Sequence, residues 1–327
     1  MPVTRPRSAT TCSSHARARL AASALLSGLL LGGCAGPGHE NAAENRAEPP
    51  AAGDASCPGR PEGQTAYRQA VAVTGFGMPP GPGAADLWGV DELFAARVAR
   101  SLEDSGRVRL QATGEPPLAG AGQAGTAAVR EAGQRLSAQV LVSGRFLDLS
   151  VAGPLMDLPW FDSRRLQAGY RRNLAVEIEV HDAVTGSLLA RHRHRELIDG
   201  RHRQTGARLG PGFWESAYGT RMARAADSLA ELALDALECL PLAAPVQRVD
   251  GGRIVIEAGA GAGLQQGDEL RVLSSHELRP ADRDAPLVER RSLGRARVSA
   301  VEPDHAILEL EPVAIGVVRA GDLVRAW

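Results

Sequence analysis

The sequence predicts a mixed-sheet α/β (α+β) domain followed by a small all-β barrel of the SH3-like kind, on three observations. The segment NLAVEIEVHD alternates, with Leu174, Val176, Ile178 and Val180 on one side and Glu177, Glu179 and His181 on the other, the period of a strand with one face on a core and one in water. The run FWESAYGTRMARAADSLAELALDALECL carries an apolar stripe of Tyr218, Met222, Ala225, Leu229, Leu232 and Ala236, with Cys239 on it, and Arg221, Arg224, Asp227, Glu231 and Asp235 opposite; this is a long amphipathic helix. Past Pro241 the style shifts to short strands with glycine turns.

Taken in order, AVAVTGF (70–76) is a short buried strand. VDELFAARVARSLEDSG is a helix with Phe94, Val98 and Leu102 on one face, Asp91 as N-cap and Gly106 as stop. RVRLQA is a strand, TAAVREAGQRL a helix through Val129, Ala132 and Leu136, and AQVLVSGRFLDLS (138–150) a strand. The alternating segment then turns through AVTG into SLLARHRHREL as a hairpin. In the barrel, GGRIVIEAG, GDELRVL, SLGRARVSAVEP, HAILELEP and GDLVRAW are five strand candidates, with SHELRPADRDAPLVERRS a polar, mobile loop. The expected domains are 67–242 and 243–327.

The first segment reads as an address. Arg5, Arg7, Arg17 and Arg19 precede an uncharged run from Leu20 to Gly33, and no acid occurs before Glu40. That run is shorter than the roughly 20 residues a spanning helix needs, so residues 1–33 read as a signal peptide. Leu31-Gly32-Gly33-Cys34 resembles the bacterial lipobox, in which the cysteine is lipidated, and Ala35 after it favours the outer membrane over inner-membrane retention; cleavage nearby with Cys34 incidental is the alternative. Residues 34–66, rich in Ala, Gly, Pro and Glu, read as a flexible tether.

Every one of the 37 basic residues is arginine, and removing the four leader arginines takes the formal charge from −1 to about −5. A mildly acidic mature chain has no footprint for nucleic acid. With Cys12 in the leader and Cys34 acylated, Cys57 and Cys239 remain. In an oxidising compartment they are most simply a disulfide; two separate buried thiols are the alternative.

Several stretches together resemble the flagellar assembly protein T family over roughly residues 57–327. They are the Cys57-Pro58 entry before YRQAVAVTGF, AQVLVSGRFLDLS, HDAVTGSLL, and FWESAYGTRMARAADSLAELALDALECLP running into RIVIEAGAGAGLQQGDELRVL. The resemblance implies a middle domain like the N-terminal domain of TolB and the curli-secretion lipoproteins, then an SH3-like domain, in a periplasmic protein that contributes to a ring around the flagellar basal body. The family's N-terminal domain has no room here, since about 36 residues separate Cys34 from the first strand. Expected partners are basal-body ring proteins, the outer membrane through the lipid, and further copies of the chain in a ring. A curli-secretion-like export lipoprotein is the alternative.

Other patterns have site-like spacing. GAGQAG (120–125) fits G-x-G-x-x-G, but TGEPPLA separates it from the preceding strand, where a dinucleotide site needs direct contact. GAGAGL (259–264) reads as a barrel turn. In RHRHRE, Arg191, Arg193 and Arg195 line one strand face between Leu189 and Leu197, so that face is the wet one. His192 and His194, with His202 beyond, turn to the core side, where a core histidine outweighs a metal ligand. Glu177 and Glu179 share a wet face without a pocket. The loop AGPLMDLPWFDSRR (152–165) concentrates Leu158, Trp160, Phe161, Arg164 and Arg165, a partner-binding candidate; a loop folded over its own sheet is the alternative. No Cys–His, Ser–His–acid or G-x-S-x-G arrangement stands out. The expectation is a binding protein with no cofactor, no metal and no enzymatic activity.

Overall fold

β1 (Gln69–Gly77) sits inside a mixed sheet because its AVAV run is apolar on both faces. It runs parallel to β2 (Val108–Glu115) on one side and to β3 (Val140–Asp148) on the other. β4 (Val151–Ala152) follows β3 after a short break, and both pair antiparallel with β5 (Arg171–Asp182). The far edge of β5 carries β6 (Ser187–Asp199). The computed structural model describes residue 57 and residues 67–80, 82–118, 125–152, 171–199, 209–278 and 287–326.

Helices α1 (Val90–Asp104) and α2 (Thr126–Arg135) connect the parallel strands, and α3 (Ala217–Leu237) follows the hairpin. The crossover from β1 to β2 and the return from β2 to β3 run in opposite directions across the sheet, so equal handedness puts α1 and α2 on opposite faces. On one face Phe94, Val98, Met222 and Leu229 pack against Val71, Val142, Val176 and Ile178. On the other, Val129 and Ala132 of α2 meet Ala72, Leu141 and Ala183. Close approach requires glycine at several described positions, Gly144 and Gly186 among them. A Cβ on Gly144 in β3 would lie 2.1 Å from the Phe76 ring, and one on Gly186, at φ +77° in the hairpin turn, 2.3 Å from the Thr126 carbonyl.

The sheet corrects several expectations. Glu177 and Glu179 are not on a wet face: each is 1% exposed, because arginine side chains of the flanking strands β3 and β6 lie over them. Asp91 does not cap α1. Gly89 at φ 85° holds the cap position, leaving Asp91 and Glu92 in the first turn, where their charge opposes the helix dipole's positive end. On α3, Tyr218, Met222, Ala225 and Leu229 are buried as expected, but Leu232 is exposed and the stripe continues through Ala233 and Leu237, widened by Ala226 and Ala230. Asp227 is drawn off the wet side to accept from Arg97 of α1 at 2.8 and 2.6 Å. Cys239 lies beyond the helix end, in an exposed turn.

The C-terminal strands close an antiparallel barrel in the order β10-β11-β8-β7-β12-β9. Five are the expected ones: β8 (Arg253–Ile256), β9 (Glu269–Leu278), β10 (Leu287–Val301), β11 (Ala306–Leu310) and β12 (Leu323–Arg325). The sixth, β7 (Ala243–Asp250), has no counterpart in the sequence reading, because Pro245 interrupts it and proline argues against a strand. Pro245 is tolerated in the short pairing with β12. β9 and β10 also extend into the supposed polar loop, where Leu278 still pairs with Leu287. Small inward residues such as Ala244, Ala296 and Ala306 let Ile254, Ile256, Val272 and Leu308 fill so narrow a barrel.

Sheet and barrel meet at the segment between α3 and β7. The Gln139 amide donates to the Pro241 carbonyl at 2.7 Å and its oxygen accepts from Ala243 N at 3.0 Å. Gln69 donates to Leu240 O at 2.5 Å. Tyr67, one turn of chain before β1, is buried in the barrel core and donates to Asp268 at 3.0 Å. Cys57 and Cys239 are joined by a disulfide with a Cα–Cα distance of 5.1 Å across 182 residues. Replacing Cys239 with Ser is expected to cost about 2–5 kcal/mol of stability. Urea denaturation with and without reductant measures this, and coincident curves would show that the junction holds without the bond.

Candidate functional site

The outer half of the sheet collects charge on the face that α2 leaves uncovered. Strand register dictates the arrangement: Glu177 stands between Arg145 of β3 and Arg193 of β6, and Glu179 between Ser143 and Arg191. Arg145 Nε donates to Glu177 at 3.0 Å, and Arg193 Nε donates to the other carboxylate oxygen. Arg191 Nε donates to Glu179 at 2.7 Å, and His181 Nε2 lies 3.3 Å from the same carboxylate. The acids are buried while the arginines are partly exposed, so the guanidinium groups form a lid whose outer surface meets water. Ser143 Oγ beneath it is buried without a hydrogen-bond partner among the described residues.

Burial alone would raise the Glu177 carboxyl, but donation from Arg193 and Arg145 outweighs it and holds the group below the usual carboxylate range. Burial holds the His181 imidazole below its ordinary value, with Glu179 opposing and Arg191 adding to the effect.

Arg195 continues the arginine row but faces Ala175 across the strand pair, not an acid. With Leu189 and Leu197 it completes the row on β6, every member of which is exposed. β6 pairs only with β5 among the described strands, so its outer edge presents backbone donors and acceptors as well. His192 and His194 turn to the α3 side, where His194 Nε2 lies 3.5 Å from Glu196, itself paired with Arg221 at 3.2 Å. Among the described residues no group of three or more His, Cys, Asp or Glu side chains could hold a metal ion. Ala260–Ala262 of GAGAGL form a short turn against the barrel.

Cys34, the GAGQAG glycines before Gly125, His202, and the loop residues Leu158, Trp160, Phe161, Arg164 and Arg165 lie outside the described residues. The positions flanking that loop, Ala152 and Arg171, are paired across β4 and β5. Next to them is a polar centre that the sequence reading missed. Arg172, 7% exposed, donates to Asp86 at 2.7 and 2.6 Å and to Leu149 O at 2.8 Å, and lies 5.6 Å from the Tyr218 ring centroid. Burial pushes the Tyr218 phenol above its usual range. An arginine at an inward strand position is the one signal the sequence offers for this centre.

Residues 62–206 match the family model described as flagellar assembly protein T, middle domain. No curated protein is significantly similar to the chain. Among solved structures, a hypothetical protein from Chlamydia trachomatis is 15% identical, with 53% of this chain covering 98% of that one at a TM-score of 0.36. The PelC dodecamer from Paraburkholderia phytofirmans is 14% identical, with coverage of 53% and 90% and a TM-score of 0.31. A lipoprotein from Neisseria meningitidis is 10% identical, with coverage of 50% and 99% and a TM-score of 0.27.

Two predictions follow from the charged face. Removing both Arg145 and Arg193 by alanine substitution leaves Glu177 buried without its cations and is expected to cost about 3–5 kcal/mol, measured by chemical denaturation; a loss no larger than that of Arg224→Ala on α3 would contradict it. Both titrating groups favour their deprotonated form in the fold. Stability is therefore complete above neutrality, starts to fall as pH drops below the ordinary His value of 6.5, and falls again below the ordinary Glu value of 4.5. Thermal melts across pH 8 to 3 should show both losses, and His181→Gln should remove the first.

Proposed function

We propose, from the flagellar assembly protein T middle domain that this chain carries at residues 62–206, that the protein is a lipid-anchored periplasmic assembly component of the flagellar basal body. It acts by contact and not by chemistry: Cys34 carries the lipid at the outer membrane, and the sheet and barrel engage ring proteins or further copies of the chain. The family match is the observation that carries this reading. The disulfide between Cys57 and Cys239 suits an oxidising compartment, and Glu177 and Glu179 are engaged by arginines as structural ion pairs.

The exposed edge of β6 is one contact surface among the described residues. Leucines flanking a row of arginines combine apolar anchors with donors for an acidic partner. No observation favours the export-pore reading. The β5–β6 hairpin sets one face on the helical core and the other under arginines, whereas a lipid-facing hairpin needs a continuous apolar band.

Deleting the gene is expected to abolish swimming and to remove ring density from motors imaged by cryo-tomography; normal motility with intact rings would refute the reading. Arg195→Glu combined with Leu197→Asp should leave the melting temperature near wild type while preventing co-purification with basal bodies. Cys34→Ala should stop fatty-acid incorporation, followed by metabolic labelling.

A further inference from the structure

We propose that the cleft between sheet and barrel is a binding site for a small carboxylate ligand, held by Arg109 and Arg130. The cleft has a volume of about 480 Å³, within the range of pockets that enclose small molecules. Arg109 reaches it from β2 and Arg130 from α2, while Ala244, Val246 and Leu323 line the barrel side. The hydrogen bonds of Gln139, Gln69 and Arg68 across the junction hold its walls in place, so the site is formed before any ligand arrives.

Charge selects the ligand. Glu257 is the one acid among the described lining residues. The largely exposed Asp304 lies 3.8 Å from Arg109 Nη1, a weak solvent-screened pair, and the Glu257 carbonyl already accepts from Arg109 Nη2 at 3.0 Å. That bond fixes the guanidinium, yet Arg109 Nε is buried with no acceptor among the described residues. A buried donor without an acceptor is unfavourable; the groups of Arg109 that a carboxylate in the cleft would engage are the η N–H donors not taken by Glu257. Arg130 is 8% exposed, so its charge acts in a poorly solvated setting. Burial holds the Arg290 guanidinium below its usual range, with Asp182 opposing and Arg325 and Arg130 adding to the effect. The remaining surface is apolar side chains with Ser137 and the amides of Gln134, Gln139 and Gln247, suited to a short body with one anionic end. A planar guanidinium matches a carboxylate in geometry as well as in charge.

Isothermal titration calorimetry of the purified full chain at low salt tests this with two probes: glutarate, and the tripeptide Ala-Ala-Ala with a free or an amidated C-terminus. Binding of glutarate assigns a free small carboxylate. Binding of the free-acid tripeptide alone assigns a polypeptide terminus as the source. In either case Arg109→Gln should weaken binding by about tenfold or more, the value of a charge-assisted hydrogen bond. Gln247→Glu, at the exposed rim, should weaken it also, while Arg224→Gln on the outer face of α3 should not. The proposal fails if neither probe binds at about 10 mM, if the amidated peptide binds as well as the free acid, or if Arg109→Gln leaves the affinity unchanged.

Discussion

The organisation of this protein depends on the short stretch from Glu238 to Ala243, where the last helix of the sheet domain becomes the first strand of the barrel. Its polar backbone groups lie between two cores, and a buried carbonyl or amide must find a partner. Gln69 and Gln139, both buried, supply them: one side chain closes on Leu240, the other on Pro241 and Ala243 together. The barrel answers with Leu242 in its own core and takes in Tyr67 from the chain before β1. Two modules that would otherwise swing on a linker are thereby fixed face to face, and a cleft with arginines in its wall exists because they are.

A second constraint acts within the sheet. Because β5 is flanked on both edges, its alternating pattern does not sort simply into core and water, and the acids on its second face are neutralised in place. The strand register does this by placing arginines from β3 and β6 directly beside them. The polar half of the sheet is thus held by ion pairs where the other half is held by aliphatic packing and by the edge contacts of Phe76, Phe94 and Phe146.

Much of the fold could be read from the residues because its signals are local. The period of two at 174–180, the Phe94–Val98–Leu102 spacing and the glycine turns of the barrel each act over a few positions. What escaped depends on neighbours distant in sequence. Glu177 looks solvent-facing until β6 is laid over it, Gln139 looks like a surface amide until Pro241 comes near, and β7 looks like a linker because of Pro245. The arginine row of β6 was legible as a wet face, but the acids beneath it were not. Arg109 and Arg130 gave no signal at all, since a cleft between two modules leaves no mark on either one's periodicity.

The bond between Cys57 and Cys239 has a mechanical consequence. A tug on the chain ahead of Cys57 would otherwise be borne by β1 and peel it from between β2 and β3. With the crosslink in place, the strain passes through sulfur straight to the joint between the two modules. The end of β1 is thereby spared the direct pull, so a body moored by its leading end would keep the surfaces it presents under tension.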